Sequence, residues 1–243
     1  MTKVALRGIG ARKMRAFTTW LAIFLGVALV AGTYVLTDTI NRSFEEIFTE
    51  SLKGTDVAIS ARTDVETQDA TPPAFSASLL ARVKKVDGVE AATGSVFASG
   101  KFVDAKGDPI GNSFAPNFIS SLNTPRFESL SYVDGRKPRT ESEASLDTQT
   151  ADTGHLKVGD ELHLAGAHEV KAYRLVGLTK LGNASFGGAS IGQVLLPEAQ
   201  RLTDRVGQFD QISVAAALGV TPEQLRDRIA KVMPHQVVVE TGC

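Results

Sequence analysis

The feature that most constrains this chain is the uncharged run FTTWLAIFLGVALVAGTYVL, from Phe17 to Leu36. Roughly 20 residues at about 1.5 Å each span the ~30 Å hydrocarbon core of a bilayer. Lipid offers no partner for backbone amides, so such a segment must satisfy them internally, as a helix. Lys3, Arg7, Arg12, Lys13 and Arg15 precede the run, no acidic residue occurs before Asp38, and Glu45, Glu46 and Glu50 follow. Basic flanks stay on the cytoplasmic side, so the N-terminus is predicted cytoplasmic and everything beyond Thr37 extracytoplasmic. The competing reading is a cleaved signal peptide cut near Val30-Ala31-Gly32. Signal peptides have shorter apolar regions, about 7–15 residues, so a retained anchor is expected. Ala22 with Gly26, and Ala28 with Gly32, form small-xxx-small pairs that would admit a second helix closely, although ordinary lipid-facing composition produces the same spacing.

The helical pattern continues past the membrane. Ile40, Phe44, Ile47, Phe48 and Leu52 recur at three- to four-residue spacing between polar residues, and no Pro or Gly lies between Thr33 and Lys53. A single rod from about Phe17 to Leu52, roughly 50 Å long, is predicted, closed by Gly54 just past its end. The alternative is a break near Thr37-Asp38-Thr39 followed by a short surface helix.

Of 243 residues, enough follow this rod to build a domain with its own core. All 27 acidic residues lie beyond residue 16, against 21 of the 26 basic ones, so no broad basic face exists for nucleic acid, and nucleic-acid binding is excluded as a function class. The one cysteine, Cys243, permits neither an internal disulfide nor a cysteine-based zinc site. Thr55 to Ser60 alternates as a strand, and a polar loop leads to Thr71-Pro72-Pro73. Phe75, Leu79, Leu80, Val83 and Val86 mark a helix ending at Asp87-Gly88, and Val89 to Phe97 reads as a strand. The order returns near the C-terminus: Asp210 to Ala215 as strand, Leu225, Ile229 and Val232 as one helix face, Gln236 to Glu240 as strand. Thr221, Pro222 and Gln224 spell a capping box before that helix.

The region between is rich in turn signals, at Asp134-Gly135-Arg136, Gly159-Asp160, Ala165-Gly166-Ala167 and Gly187-Gly188, with short apolar runs between them. The fold class predicted is α+β: one N-terminal transmembrane helix with an extended stalk, then an extracytoplasmic domain of two side-by-side β-α-β halves flanking a β-rich insert. By residue, 1–16 is a basic cytoplasmic segment, 17–36 the transmembrane helix and 37–54 the stalk. Residues 55–109 with 197–243 form a mixed α/β, porter-like subdomain, and 110–196 the insert, after which a helix from about Pro197 to Thr203 leads back to the second half.

Three stretches carry a family resemblance. ALRGIGARKMRAFTTWLAIFLGVALVAG, Ala5 to Gly32, is a basic segment running into a first membrane helix. Val133 to Leu164 holds DGRKP and then EASLDTQTADTGHLKVGDELHL, with Val158-Gly159-Asp160 as its most specific part. Gly192 to Glu240 holds QVLLPEAQRL, DQISVAA and TPEQLRDRI before a last strand. In this order they resemble the N-terminal part of an ABC transporter permease of the MacB/FtsX type, with a MacB-like periplasmic core domain. The resemblance implies a cell-membrane transport protein that is not an enzyme. Its partners would be a cytoplasmic ABC ATPase subunit, a second permease copy as homodimer or pair, and the lipid bilayer. That family carries four membrane helices, and a lone helix cannot wall a translocation path, so a truncated or partial permease is expected. The alternative is a single-pass, membrane-anchored extracytoplasmic binding or sensor protein without ATPase coupling.

Enzyme motifs are weighed against this reading. Gly188-Ala189-Ser190-Ile191-Gly192 matches G-x-S-x-G, and Asp204 or Asp210 followed by His235 completes a hydrolase order. The motif needs a strand before it and a helix after it, whereas here a glycine turn precedes and Gln193 to Leu196 reads as strand, so no catalytic residue is assigned. His155, His163, His168 and His235 lack zincin spacing; His163 and His168 flank a hairpin, and no metal or cofactor site is assigned. No P-loop occurs, which places any ATPase on another chain. Val158-Gly159-Asp160 reads as a tight turn before a strand.

Overall fold

The computed structural model describes residues 2–62, 73–104, 107–111, 115–167, 170–182 and 188–242. The polar loop expected through Thr71-Pro72, together with Gly187, His168 and Cys243, lies outside the described residues. So do the side chains of Ile40, Phe44, Ile47 and Phe48, leaving the stalk's amphipathic face undescribed. The chain divides into two compact units, Met1–Glu46 and Ile47–Cys243.

Helix α1 runs unbroken over Thr2–Ser51. It starts well before Phe17 and has no break at Thr37-Asp38-Thr39, because nothing in this stretch interrupts the i→i−4 ladder. Within it, Lys13–Val35 is long and apolar enough to cross a membrane. The side chains of residues 17–35 are exposed. The hydroxyls of Thr19 and Thr33 donate to the carbonyls of Arg15 and Leu29, at 2.9 Å each, so their polarity is met inside the helix. Trp20 stacks on Phe24 at 5.5 Å. An added Cβ at Gly26 or Gly32 would meet nothing within 4 Å, so those faces are open.

In the second unit the elements follow in order: β1 (Val57–Ala61), β2 (Phe75–Ser76), α2 (Ser78–Val83), β3 (Val89–Ser95), β4 (Phe97–Ser99), β5 (Lys101–Val103), β6 (Pro109–Ile110) and β7 (Asn117–Ser121). A 3-10 turn at Pro125–Phe127 precedes β8 (Ser131–Gly135), β9 (Glu143–Asp147), α3 (Thr148–Thr153), β10 (Glu161–Ala165) and β11 (Val170–Lys180). Last come β12 (Ser190–Val194), α4 (Leu196–Leu202), β13 (Gln208–Phe209), β14 (Gln211–Ala216), α5 (Pro222–Ala230) and β15 (Val237–Thr241).

The first sheet has four strands in the order β15-β1-β14-β3, and every pair is antiparallel. This corrects the side-by-side expectation. Each β-α-β half is split, with β14 inserted between β1 and β3 and β1 inserted between β14 and β15. Val57 and Ile59 alternate with smaller residues and pair with Val214 and Ile212, building one apolar face. Leu79 and Val83 of α2, and Leu225 and Ile229 of α5, cover it and are buried with Phe75, Phe209 and Val237. Three details differ from the sequence reading. Phe75 lies in β2, paired with Phe209, rather than in a helix. Val232 follows α5 and is 39% exposed, while Met233 packs on the core instead. Leu80 is only partly buried. The capping box is present, Thr221 accepting from Gln224 N while the Gln224 side chain accepts from Thr221 N.

The second sheet has nine strands in the order β4-β7-β12-β9-β11-β10-β5-β6, with β8 added on β11. β4 and β5 lie near opposite ends of that order yet are joined by Gly100 alone, so the sheet rolls to bring its ends together. Its interior holds Phe102, Ile119, Leu146, Leu162, Leu164, Tyr173 and Leu175. The strand expected from Val89 to Phe97 is therefore two strands in two sheets, separated at Val96, which is buried in the second core. The rolled sheet begins at Phe97, ahead of the expected start at Ile110. Gly159, at φ +108, makes the expected turn into β10.

Candidate functional site

Both crossings between the sheets lie side by side. Asp210, buried at the start of β14, accepts from Phe97 N at 2.8 Å, and its own amide donates to Ser95 O at 2.9 Å. Its second oxygen lies 2.6 Å from Arg205 Nη1. Burial pushes the Asp210 carboxyl up, against the opposing pull of the Phe97 amide and the Arg205 charge. Ser121 adds a second staple: its hydroxyl accepts from Val96 N at 3.0 Å, and its amide donates to Val96 O at 2.9 Å.

Beside this junction a cleft of about 380 Å³ opens between the sheets. The first sheet contributes Ser60, Ser95, Gln211 and Ser213, from the face opposite α2 and α5; the second contributes Phe97, Phe118, Ser120, Ile191 and Gln193. Phe97 and Phe118 stack at 4.5 Å. Glu128, with its side chain 5% exposed, lines one wall within a polar chain. Gln193 Nε2 donates to Glu128 Oε1 at 3.0 Å, and Tyr132 Oη donates to Gln193 Oε1 at 2.9 Å. The Tyr132 hydroxyl also meets Ser145 Oγ at 3.1 Å. Burial, opposed by the Ser145 hydrogen bond and reinforced by the Glu128 charge, pushes Tyr132 up to about 12, so it stays a neutral donor.

Ser51, the last residue of α1, also lines this cleft. The turn that follows is locked to the second sheet's approach. Gly54 has φ +75, and a Cβ there would lie 2.3 Å from Arg126 O, so the glycine provides both the conformation and the clearance. Glu50 packs against Gly182 at the end of β11. Arg126 reaches Glu90 on β3 at 2.8 Å.

The hydrolase motif does not assemble. Ser190 opens β12, is buried, and its Oγ has no hydrogen-bond partner, so neither aspartate nor His235 bonds it. Ser190 is followed by strand, not helix. The His235 carbonyl accepts from Arg62 Nε at 3.0 Å in the turn before β15. His155 follows α3, and His163 Nε2 lies 3.4 Å from Glu161 Oε1 on β10. Among the described residues no group of three or more His, Cys, Asp or Glu side chains could hold a metal ion.

Sequence reasoning did not foresee the cleft or two buried carboxylates. Asp147 accepts from Thr150 N and Ile191 N, at 2.8 Å each, joining a helix start to β12. Glu198 on α4 accepts from Tyr173 Oη, pairs with Lys171 at 2.5 Å and contacts Arg201. Burial would raise Glu198, but the Lys171 and Tyr173 hydrogen bonds and the two cationic neighbours hold it below the ordinary carboxylate range. An S-x-G pattern is visible in a sequence; a Glu whose partners lie on a distant strand carries no local signal.

The family model of the MacB-like periplasmic core domain matches residues 16–232. The fold is similar to the extracellular domain of the noncanonic ABC-type transporter YknZ from Gram-positive bacteria, at 14% identity and TM-score 0.55, covering 76% of this chain and 98% of that one. It is similar to the periplasmic region of MacB from Actinobacillus actinomycetemcomitans, at 12% identity and TM-score 0.52, covering 80% and 94%. A domain of a putative permease protein from Porphyromonas gingivalis matches at 15% identity and TM-score 0.50, covering 78% and 90%. A search among curated proteins returns no match.

Proposed function

The chain belongs to the MacB-like periplasmic core domain family of ABC-type transporter permeases, and from that premise we propose that it is the permease component of an ATP-driven transporter. In this reading α1 crosses the cell membrane with its basic end in the cytoplasm, and a separate ABC ATPase moves that end. The helix relays the motion to the extracytoplasmic domain, and two permease copies pair. The two subdomains are a mixed α/β part built on the four-stranded sheet and a β-rich part built on the rolled sheet that begins at Phe97, each with its own buried cluster.

The observation that carries the reading is the continuity of α1 to Ser51, followed at once by the close-fitting turn at Gly54 against Arg126. A helix without a joint, ending in a turn that has no slack, transmits displacement instead of absorbing it. The adjacency of Gly242 N and Asp56 O, at 2.8 Å, also supports a domain inserted between membrane segments, since its first and last strands start and finish together. Thr39→Pro in a complete permease tests the relay. Proline removes a ladder bond and costs about 3 kcal/mol in a helix interior. Transport is expected to fall while ATP hydrolysis and expression persist; unchanged transport overturns the relay.

A further inference from the structure

We propose that the cleft between the two sheets is a ligand site for a small organic cation with an aromatic or branched apolar body. The cleft's volume of about 380 Å³ falls within the roughly 300–1,000 Å³ of small-molecule sites. One wall is apolar: Val96, Phe97, Phe118, Phe127, Leu130 and Ile191. The opposite wall is the uncovered face of the first sheet, where Ser60, Ser95 and Ser213 stand at positions that a packed sandwich fills with large apolar side chains. The space is thus left open by residue choice, with an aromatic floor to receive an apolar body.

The sign of the ligand follows from the charged groups. Among the described residues the lining includes two carboxylates, Glu128 and Asp210, and no Lys, Arg or His. Their protein counter-ions stand outside it: Arg205 on Asp210, and Lys137 at a long 3.9 Å from Glu128. Glu128 accepts at both oxygens, from Gln193 Nε2 and Leu130 N at one and Asn123 N at the other, which fixes the carboxylate in place. A carboxylate oxygen offers about two acceptor sites, so the second oxygen retains one for an ammonium hydrogen. Phe97, 37% exposed and stacked on Phe118, presents a ring face to the same cation. An anionic ligand would meet two carboxylates and no cationic side chain among the described lining residues. The site stands on the cleft alone and does not depend on the permease reading.

The test uses the full chain in zwitterionic lipid nanodiscs, with empty nanodiscs subtracted. The probes are 4-fluorophenethylammonium, the matching neutral alcohol and the matching carboxylate, read by fluorine line broadening. The ammonium is expected to bind at least tenfold more tightly than either analogue. Phe97→Ala, at a part-exposed position and with its fold checked by circular dichroism, is expected to weaken it about tenfold. Glu128→Gln, which preserves shape, is expected to abolish the preference for the ammonium over the alcohol. Equal binding of the three probes, no binding of the ammonium, or ammonium binding indifferent to Phe97→Ala each overturns the proposal.

Discussion

The two sheets of the second unit are built by opposite strategies. The rolled sheet takes all of its strands from one continuous stretch, Phe97 to Val194, whereas the four-stranded sheet gathers strands from both ends of the domain, with β1 held between β14 and β15. Closing the second kind means closing a long loop before any reward is collected. The four-stranded sheet therefore depends on residues far apart in sequence, and the rolled sheet does not.

Deleting everything after Gln208 is the harshest way to break this contrast. β1 then loses both neighbours, so amide protection at Val57 is expected to vanish, while the rolled sheet, including Val96 with its Ser121 staple, keeps most of its protection. Hydrogen exchange reads both; protection retained at Val57 would show that the interleaving is not what holds the first sheet. Truncation of Leu225 or Ile229, both fully buried, to Ala is expected to cost about 2–5 kcal/mol by denaturant titration, with the loss concentrated in the four-stranded sheet. Equal loosening of both sheets in the exchange pattern would mean one cooperative core. Thr221→Ala removes the cap of α5 and is expected to cost about 1 kcal/mol, with Thr221→Ser restoring most of it.

The smallest effect sharpens the other side of the comparison. Hydrogen bonds from Arg136, opposed by burial and aided by the Arg139 amide, hold Glu143 down to about 2. Its folded value lies below its unfolded one, so the unfolded chain binds protons first, and the stabilisation present above about pH 4.5 is lost as pH falls toward 2. Arg136 is exposed, so solvent screening keeps the contribution of the pair small. Asp210 has the opposite sign: its raised value favours the protonated folded form, so acid relieves the sheet junction. Glu143→Gln is expected to flatten the acid limb of rolled-sheet stability, measured by urea midpoints between pH 5 and 2. An unchanged limb assigns the acid sensitivity elsewhere.

What could be read beforehand had local causes. The long apolar helix follows from a charge-free run of bilayer length, the cap of α5 from Thr221 to Gln224, the turn at Gly159 from its neighbours, and the core faces of Leu79, Val83, Leu225 and Ile229 from helical spacing. Failures occur where one neighbourhood fits two outcomes. Phe75 suits a helix face as well as a two-residue strand, and only Phe209, distant in the chain, selects the strand. Val89 to Phe97 looks like one strand because no proline interrupts the run, and nothing local reports that Ser121 and Asp210 divide it at Val96.

The sequence by itself determined the apolar stretch of the helix, where it ends and its charge asymmetry, although not its start at Thr2, because a run without charge, proline or a closing glycine favours the backbone's own ladder residue by residue. It also determined most of the inward-facing side chains of the regular elements, since periods of 2 and 3.6 are properties of local geometry, and it missed at Val232, beyond the end of α5, where the helical period stops. Only the tertiary structure decided which strands are neighbours, how the nine-stranded sheet rolls, and where the cleft with Glu128 and Asp210 opens. Those outcomes rest on hydrogen bonds and packing between segments up to more than a hundred residues apart, such as Phe97 with Asp210, and such pairings leave no periodic mark on either partner.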